Sequence, residues 1–412
     1  MDKGVAVKRD TKGGGAPAAD EARAWRGTVA GFCATLVGIG LARFAYTPLL
    51  PAIVAAHWFD AAMAAYLGAA NLAGYLAGAL AGRPIAARVP IAWTLRAMML
   101  LAAAAFIACA LPVSFGWFFA WRFLSGLAGG ALMVLAAPSV LPGVPPSRRG
   151  LAGGLIFMGV GVGVAASGTL VPVLLSRGLA HAWLGLGALS LILTAVAWKG
   201  WPGDAPSTGA TTPASDRGRT PRLGGLRALY AEYALNAAGW VPHMIFLVDF
   251  VARGLGRGLQ AGAQYWVLFG IGATAGPVLA GVLADRIGFG RALRAAFVLQ
   301  AAGVAIPALG WGGFWLTVSS VVVGAFVTGT VPLVLGRVHE LLGDHPHLRD
   351  PAWRTATVGF ALFQAIAAYG LSFVFSHSGG DYRLLFAIGA SAMLLALVID
   401  AGAAIRARLP SR

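Results

Sequence analysis

Two arginines, Arg43 and Arg122, lie inside long apolar stretches of the sequence, where a charged side chain is costly. The guanidinium group is a rigid fork of donors that suits a carboxylate or a phosphate. Tyr46 follows Arg43 by three residues, a spacing that puts both on one helical face. These residues predict an anion-binding site in the apolar part of the protein. The alternative is structural: each arginine bonds backbone carbonyls or an acid on another helix.

A second set of polar residues recurs at helical spacing in another apolar stretch. Glu232, Asn236, Gly239 and His243 follow one another at intervals of four, three and four residues, so they share one face of a helix. We expect Asn236 to bind substrate, and Glu232 and His243 to be candidates for carrying a coupled proton. The alternatives are a pair between Glu232 and Arg227, and a structural role for His243.

Asn71 and Gln364 stand near the middle of two further apolar stretches. Their amides could hydrogen-bond a substrate, and the alternative is that they join neighbouring helices. We include both in the predicted substrate site. Asp249 and Arg253, four residues apart, are typical of an ion pair at the membrane interface.

The sequence carries no recognised motif for a metal, a nucleotide or a catalytic nucleophile. Cys33 and Cys109 lie in apolar runs without a CxxC spacing, and the histidine-rich stretch 339–347 lacks a ligand spacing. We therefore expect no cofactor, no metal and no enzymatic activity.

The composition shows which kind of element must position these residues. Of 412 residues, 58% are hydrophobic and only 11% are charged, whereas a soluble domain carries about 25% charged residues. This excludes an ordinary soluble enzyme. The net charge of +16 would fit nucleic acid, but the mean hydropathy of +0.76 argues against that partner.

Twelve apolar runs are each about as long as a bilayer-spanning helix. A β-barrel would instead show short segments of alternating polarity. The predicted spans cover residues 27–50, 61–82, 90–111, 115–138, 151–175, 181–200, 226–250, 262–283, 291–311, 314–336, 354–376 and 382–404.

One polar break, residues 201–224, is much longer than the others and is rich in Pro, Gly, Ser and Thr, as in a flexible linker. The segment GALAGR at 78–83 is echoed by GVLADR at 281–286, which indicates a parallel duplication. The predicted organisation is a tail, a six-helix bundle, a linker, a second six-helix bundle and a tail: 1–26, 27–200, 201–224, 225–405 and 406–412.

The basic residues predict orientation. With both termini in the cytoplasm, 25 Lys and Arg lie in cytoplasmic segments and 4 in the opposite loops, leaving Arg43 and Arg122 inside the membrane. This bias follows the positive-inside rule. We expect a multi-pass membrane protein with both termini in the cytoplasm.

The stretch GVLADRIGFGR at 281–291 resembles the signature loop of the major facilitator superfamily. The resemblance implies a conformational latch formed by Gly281, Asp285, Arg286, Gly288 and Arg291. In the first-half copy, Gly82 stands where the aspartate would be, and Pro84 follows Arg83.

Further blocks extend the resemblance. Arg122 followed by Gly126 matches a superfamily motif of the fourth helix, whereas the Gly-Pro of the antiporter motif on the fifth helix is missing. Residues 38–51, 64–80 and 241–256 are similar to the YbfB/YjiJ-like branch. The resemblance implies an all-α integral protein of the bacterial inner membrane, with twelve transmembrane helices in two pseudo-symmetric six-helix bundles, the major facilitator fold.

Together these observations predict a secondary active transporter that works by alternating access in the lipid bilayer. We expect a small-molecule substrate, an organic anion, with H⁺ as the coupling ion, in a monomeric protein without a nucleic-acid partner. One alternative is proton-driven efflux of drugs or metabolites, and another is a membrane solute sensor that does not transport.

Overall fold

The computed structural model describes residues 16–145, 148–202 and 223–408, and in these ranges the regular structure is helical throughout, without strands. The first fifteen residues of the predicted N-terminal tail, most of the predicted linker and the last four residues lie outside the described residues. The bundle limits predicted from the sequence therefore stay predictions.

Twelve spans in the described chain are long and apolar enough to cross a membrane, as the sequence predicts. Ten of them are single helices. Spans 2 to 6 are Ala61–Ala86, Ile91–Ala108, Phe115–Val140, Arg149–Leu175 and Leu179–Ala197, and spans 8 to 12 are Gly258–Ile287, Phe289–Leu309, Gly313–Leu341, Arg349–His377 and Tyr382–Arg408.

Span 1 is interrupted near its middle. It begins earlier than predicted, with a helix at Ala16–Thr35, continues as a π-helical segment at Leu36–Leu41, and resumes as a helix at Tyr46–Ala55 after a turn. Pro48 lies in the first turn of that last helix, where a backbone N–H would have no helical acceptor, so proline is tolerated there. In the middle of a continuous helix the same proline would remove a hydrogen bond. The preceding helix therefore ends before Pro48, and residues 42–45 form the break.

Span 7 is interrupted in the corresponding place of the second half. A helix at Leu223–Gly239 ends at Trp240, a second helix runs over Val241–Asp249, and a π-helical segment follows at Phe250–Gly254. Pro242 again lies in the first turn of the second piece. Broken helices at membrane depth are tolerated where the irregular backbone is buried in protein or lines a cavity.

The two halves repeat the same close helix packing. Spans 2 and 4 pack together in the first half, and spans 8 and 10 do so in the second. Small residues permit the approach: an added Cβ at Gly126 of span 4 would meet the carbonyl of Asn71, and one at Gly276 of span 8 would meet the carbonyl of Ala325. Between the halves, span 5 packs on span 8, span 2 on span 11, and the helix Tyr46–Ala55 on the helix Val241–Asp249.

The close crossing of spans 2 and 4 gives a testable prediction. We expect Gly126→Ala to destabilise the protein by about 1–3 kcal/mol, because the added methyl group must push two backbones apart. Thermal unfolding of the detergent-solubilised protein measures the effect. Gly116→Ala is the control, since no atom lies within 4 Å of a Cβ at that position of the same helix. Equal unfolding temperatures for the two variants would contradict the close crossing.

Candidate functional site

Arg43 lies in the break of span 1 and bonds across to the second half of the protein. Its Nη2 donates to Oε1 of Gln364 on span 11, 321 residues away in the sequence, and its Nε donates to Sδ of Met244 on span 7 at 3.3 Å. The side chain is buried, with the whole residue 8% exposed. The structure thus brings Arg43 and Gln364, both predicted site residues, into one cluster between the halves.

Three aromatic rings surround the guanidinium group of Arg43. Its Cζ lies 5.3 Å from the ring centre of Phe44, 5.0 Å from that of Tyr75 and 5.6 Å from that of Trp240. Ring faces attract a cation, so they partly offset the loss of water. The sequence interpretation missed Tyr75, Trp240 and Met244. Tyr75 stands one helical turn after Asn71, and Trp240 and Met244 flank Pro242 in the break of span 7.

No carboxylate compensates Arg43 in the described part of the chain. The ion pairs found there are Glu21–Arg148, Asp249–Arg253, Arg294–Asp400 and Arg337–Glu340. A buried charge without a partner of opposite sign is strongly unfavourable. Arg43 is therefore equipped to receive an anion that the protein itself does not supply.

Two further hydrogen-bond donors beside Arg43 have no acceptor. Nε2 of Gln364 and Nε1 of Trp240 are both buried without a hydrogen-bond partner among the described residues. Unsatisfied buried donors are costly, and in native proteins they call for a partner such as water, an ion or a ligand. The cluster around Arg43 thus contains donors in excess, which is the arrangement that an anionic group satisfies.

The space between Arg43 and its neighbours is closed in this conformation. A cavity of about 10 Å³, lined by residues that include Arg43, Asn71, Arg122 and Met244, remains at the breaks of spans 1 and 7. Such a volume is at the lower limit for a single water molecule. A solute must therefore enter through a change in the relation of the two halves.

Arg122 lies near the same cavity but is engaged by the backbone. Its Nη1 donates to the carbonyl of Ala42 at 2.9 Å and its Nε to the carbonyl of Leu67 at 3.4 Å. Its Cζ lies 4.3 Å from the ring centre of Tyr46, whose hydroxyl donates to the carbonyl of Ala64 at 2.6 Å. The carbonyl of Ala42 is available because no backbone N–H donates to it at the break, as far as the structure describes the chain.

Asn71 and Ser125 complete the support of the break. Nδ2 of Asn71 bonds the carbonyls of Arg122 at 3.2 Å and Ala42 at 3.5 Å, and the hydroxyl of Ser125 donates to Ala42 at 3.3 Å. Ser125 was not predicted, although it stands three residues after Arg122 on the same helical face. Spans 2 and 4 therefore hold the irregular backbone that presents Arg43.

The polar stripe on span 7 faces the interior of the second half rather than Arg43. Nδ2 of Asn236 donates to Gln300 on span 9 at 2.6 Å, and Nε2 of His243 lies 2.8 Å from the hydroxyl of Ser319 on span 10. That hydroxyl donates its one hydrogen to the carbonyl of Gly303, so His243 is the donor to Ser319. The described contacts do not join Asn236 or His243 to the cluster around Arg43.

Glu232 is a buried acid without a direct partner. It is 4% exposed, and no hydrogen bond or ion pair to it is found in the described residues, including the alternative partner Arg227. The charges that act on it belong to Asp400, Arg337 and Arg294. Asp400 and Arg294 pair with each other, whereas Arg337 pairs with Glu340. Glu232 thus lies beside two charge pairs at one end of the second half.

The predicted latch loop joins spans 8 and 9. Gly288 has a φ of 84°, a conformation that side chains rarely adopt, which explains the glycine there. Asp285 is exposed and has no hydrogen bond among the described residues. The carboxylate that caps span 9 belongs instead to Glu340 of span 10, which accepts from the N–H of Phe289 at 2.9 Å and from Arg337 at 2.8 Å.

Solved structures with the same fold are transporters. The bacterial homologue of the human lysosomal transporter Spinster, in an inward-facing and unoccupied conformation, matches with a TM-score of 0.63 at 16% identity over 93% of this chain and 95% of that one. The xylose transporter XylE from E. coli, in a partially occluded inward-open conformation, matches with a TM-score of 0.67 at 13% identity over 92% and 97%. At these identities the likeness establishes the fold.

Sequence comparison establishes the family. A search of curated proteins finds no match. The family model described as "Uncharacterised MFS-type transporter YbfB" matches residues 35–401, which include the breaks of spans 1 and 7 and the loop between spans 8 and 9. The chain belongs to this family of major facilitator superfamily transporters, and it is a multi-pass membrane protein with the major facilitator fold.

Proposed function

We propose that this transporter moves a small organic anion across the bacterial inner membrane, that Arg43 binds the anion, and that transport is coupled to protons. The observation that carries the proposal is the state of Arg43, a buried cation without a carboxylate partner among the described residues, at a helix break between the halves. In transporters built from repeats, substrate sites lie near the midplane at the interface between the repeats.

The position of Arg43 gives the anion a means to drive the conformational change. Arg43 belongs to span 1, whereas its partners Gln364 and Met244 belong to the second half. A ligand between these groups contacts both halves, so its binding energy differs between the open and closed arrangements. That difference is what a ligand needs to shift a conformational equilibrium.

We assign a positioning role to Arg122, Asn71 and Tyr46. Their hydrogen-bonding groups are directed at backbone carbonyls of spans 1 and 2. Asn236 and His243 receive the same kind of role in the second half, where they join span 7 to spans 9 and 10. Of the predicted substrate-binding residues, Arg43 and Gln364 remain as direct ligands.

Glu232 is the candidate for the coupled proton. Among the described residues of the second half it is the buried carboxyl that lacks an ion-pair partner, and it lies on span 7, on the helix that ends at Trp240. Gain or loss of a proton there changes the charge balance against Arg294, Asp400 and Arg337. Because span 7 also contributes Met244 to the anion site, one element connects the two sites.

The distribution of basic residues supports an orientation. We propose that both termini and the loop 281–291 lie in the cytoplasm. We also propose that this loop acts as a conformational latch and that the protein works as a monomer. Efflux of amphipathic cations fits the site less well, since the cluster around Arg43 supplies a cation and two unpartnered donors.

Replacement of Arg43 should abolish transport. We expect Arg43→Gln, and Arg43→Lys to a lesser degree, to reduce anion uptake by about tenfold or more, because the charged, bidentate contact is lost. The measurement is uptake of radiolabelled mandelate, lactate and succinate into proteoliposomes, corrected for protein-free liposomes. The control is Arg96→Gln, which removes an arginine that lies against Trp93 and Trp198 and bonds a backbone carbonyl, away from the cavity. Unchanged uptake by Arg43→Gln would contradict the assignment.

The two buried arginines should differ in stability. Arg122→Gln should lower the free energy of unfolding by about 1–3 kcal/mol, because the carbonyls at Ala42 and Leu67 lose a donor. Arg43→Gln should leave stability unchanged or raise it, because it removes an uncompensated buried charge. Thermal unfolding in detergent compares the two. A loss of stability in Arg43→Gln as large as that in Arg122→Gln would show that Arg43 is structural.

Glu232→Gln should separate exchange from proton coupling. The variant should keep counterflow exchange of the transported anion, which needs no net proton movement, and should lose the acceleration of uptake by an imposed pH gradient. The matched control is Glu21→Gln, which removes an exposed carboxylate paired with Arg148. If Glu232→Gln still responds to the gradient like the wild type, another group carries the proton.

A further inference from the structure

We infer that the anion is a monocarboxylate with an apolar body, an aromatic ring being the best fit. This inference rests on the proposed function and narrows it, since Arg43 is taken as the anion-binding residue. It depends on three features of the cluster: the number of available charges, the kind of unpartnered polar atoms, and the surfaces around them.

The cluster can neutralise one negative charge. Arg43 and Arg122 are the two cations near the cavity. Arg122 is occupied by the carbonyls of Ala42 and Leu67 and by the face of Tyr46, which leaves Arg43 alone for the ligand. A second carboxylate on the substrate would be buried without a guanidinium group in direct contact, which is strongly unfavourable. The number of guanidinium groups available for direct contact therefore favours a monocarboxylate over a dicarboxylate.

The unpartnered polar atoms match one carboxylate group. Nε2 of Gln364 and Nε1 of Trp240 are donors without a partner, and they lie beside the guanidinium group of Arg43, whose present partners are uncharged. A carboxylate offers about four acceptor positions on its two oxygens. Among the described residues that line the cavity, the unpartnered buried acceptor is Oδ1 of Asn71. Unpartnered donors therefore outnumber unpartnered side-chain acceptors around Arg43, which favours a ligand rich in acceptors over a sugar or another polyol.

The surfaces that border the donors are apolar and largely aromatic. The rings of Phe44, Tyr75 and Trp240 surround the guanidinium group of Arg43. Met244, Ile245 and Leu72 line the cavity beside it. When the halves separate, these groups line the opened space, and an aromatic ligand can stack on rings that now contact the guanidinium.

A thermal-shift titration in detergent with a matched set of probes tests the inference. Mandelate and phenylacetate are aromatic monocarboxylates, phenylsuccinate adds a second carboxylate, lactate removes the ring, and mandelamide removes the charge. Bound ligand stabilises the folded state by RT ln(1 + L/Kd), where L is the free ligand concentration, so at equal concentration the tighter ligand raises the unfolding temperature more. We expect mandelate and phenylacetate to bind at least about tenfold more tightly than the other three probes, the difference made by one well-placed charge or ring. We expect their shifts to be lost in Arg43→Gln and kept in Arg96→Gln.

Each outcome has a distinct meaning. Equal or tighter binding of phenylsuccinate or lactate, still dependent on Arg43, would overturn the inference about the substrate and leave the anion transporter standing. Shifts that persist in Arg43→Gln, or no shift with any carboxylate, would overturn both. Arg43→Lys guards against misfolding, since it keeps the charge and should retain a weakened preference for the aromatic monocarboxylates over phenylsuccinate.

Discussion

The architecture of the site depends on one backbone carbonyl. At Ala42 the helix of span 1 is broken, and the carbonyl that would have accepted a helical hydrogen bond is instead bonded by Arg122, Asn71 and Ser125. In a membrane an unpaired carbonyl costs several kcal/mol, so a break survives only where neighbouring helices satisfy it. The support from spans 2 and 4 allows the chain to turn, and the turn carries Arg43 to the boundary between the halves.

The two buried arginines differ in role because one lies on a continuous helix and the other lies on the break of span 1. Arg122 lies on a continuous helix and finds backbone acceptors within the first half. Arg43 lies on the break and finds a thioether, an amide oxygen and ring faces, none of which carries a negative charge. Partners rather than burial distinguish them, since both are nearly inaccessible. A cation held without a counter-ion is the kind of local cost that proteins keep at functional sites.

Pseudo-symmetry places a second break at Trp240, so that each half contributes one interrupted helix to the interface. Glu232 stands on the other piece of that helix, apart from Arg43. Under the proposed function, the anion site and the proton site would share one interrupted span. A change in charge at one end would then bias the packing of a helix that also forms the other site.

The sequence determined the class of molecule and its building elements. Apolar runs of bilayer length predicted the twelve spans. In the structure, Pro48 and Pro242 lie just after the interruptions of spans 1 and 7. Arg43 was predicted from its type alone, because a charge in lipid is costly wherever it lies. These features are local, so they can be recognised in the sequence without the tertiary structure.

Which of the polar residues share a site was decided by the tertiary structure. The sequence predicts one helical face for Glu232, Asn236 and His243, but the break at Trp240 puts His243 on a separate helix. Asn236 and His243 bond spans 9 and 10 instead of lining the cavity. Trp240 and Met244 reach Arg43 only because two distant breaks face each other. Helix periodicity fixes which residues point the same way, whereas the neighbour they meet depends on the rotation of each helix in the bundle, which the packing of all twelve spans determines.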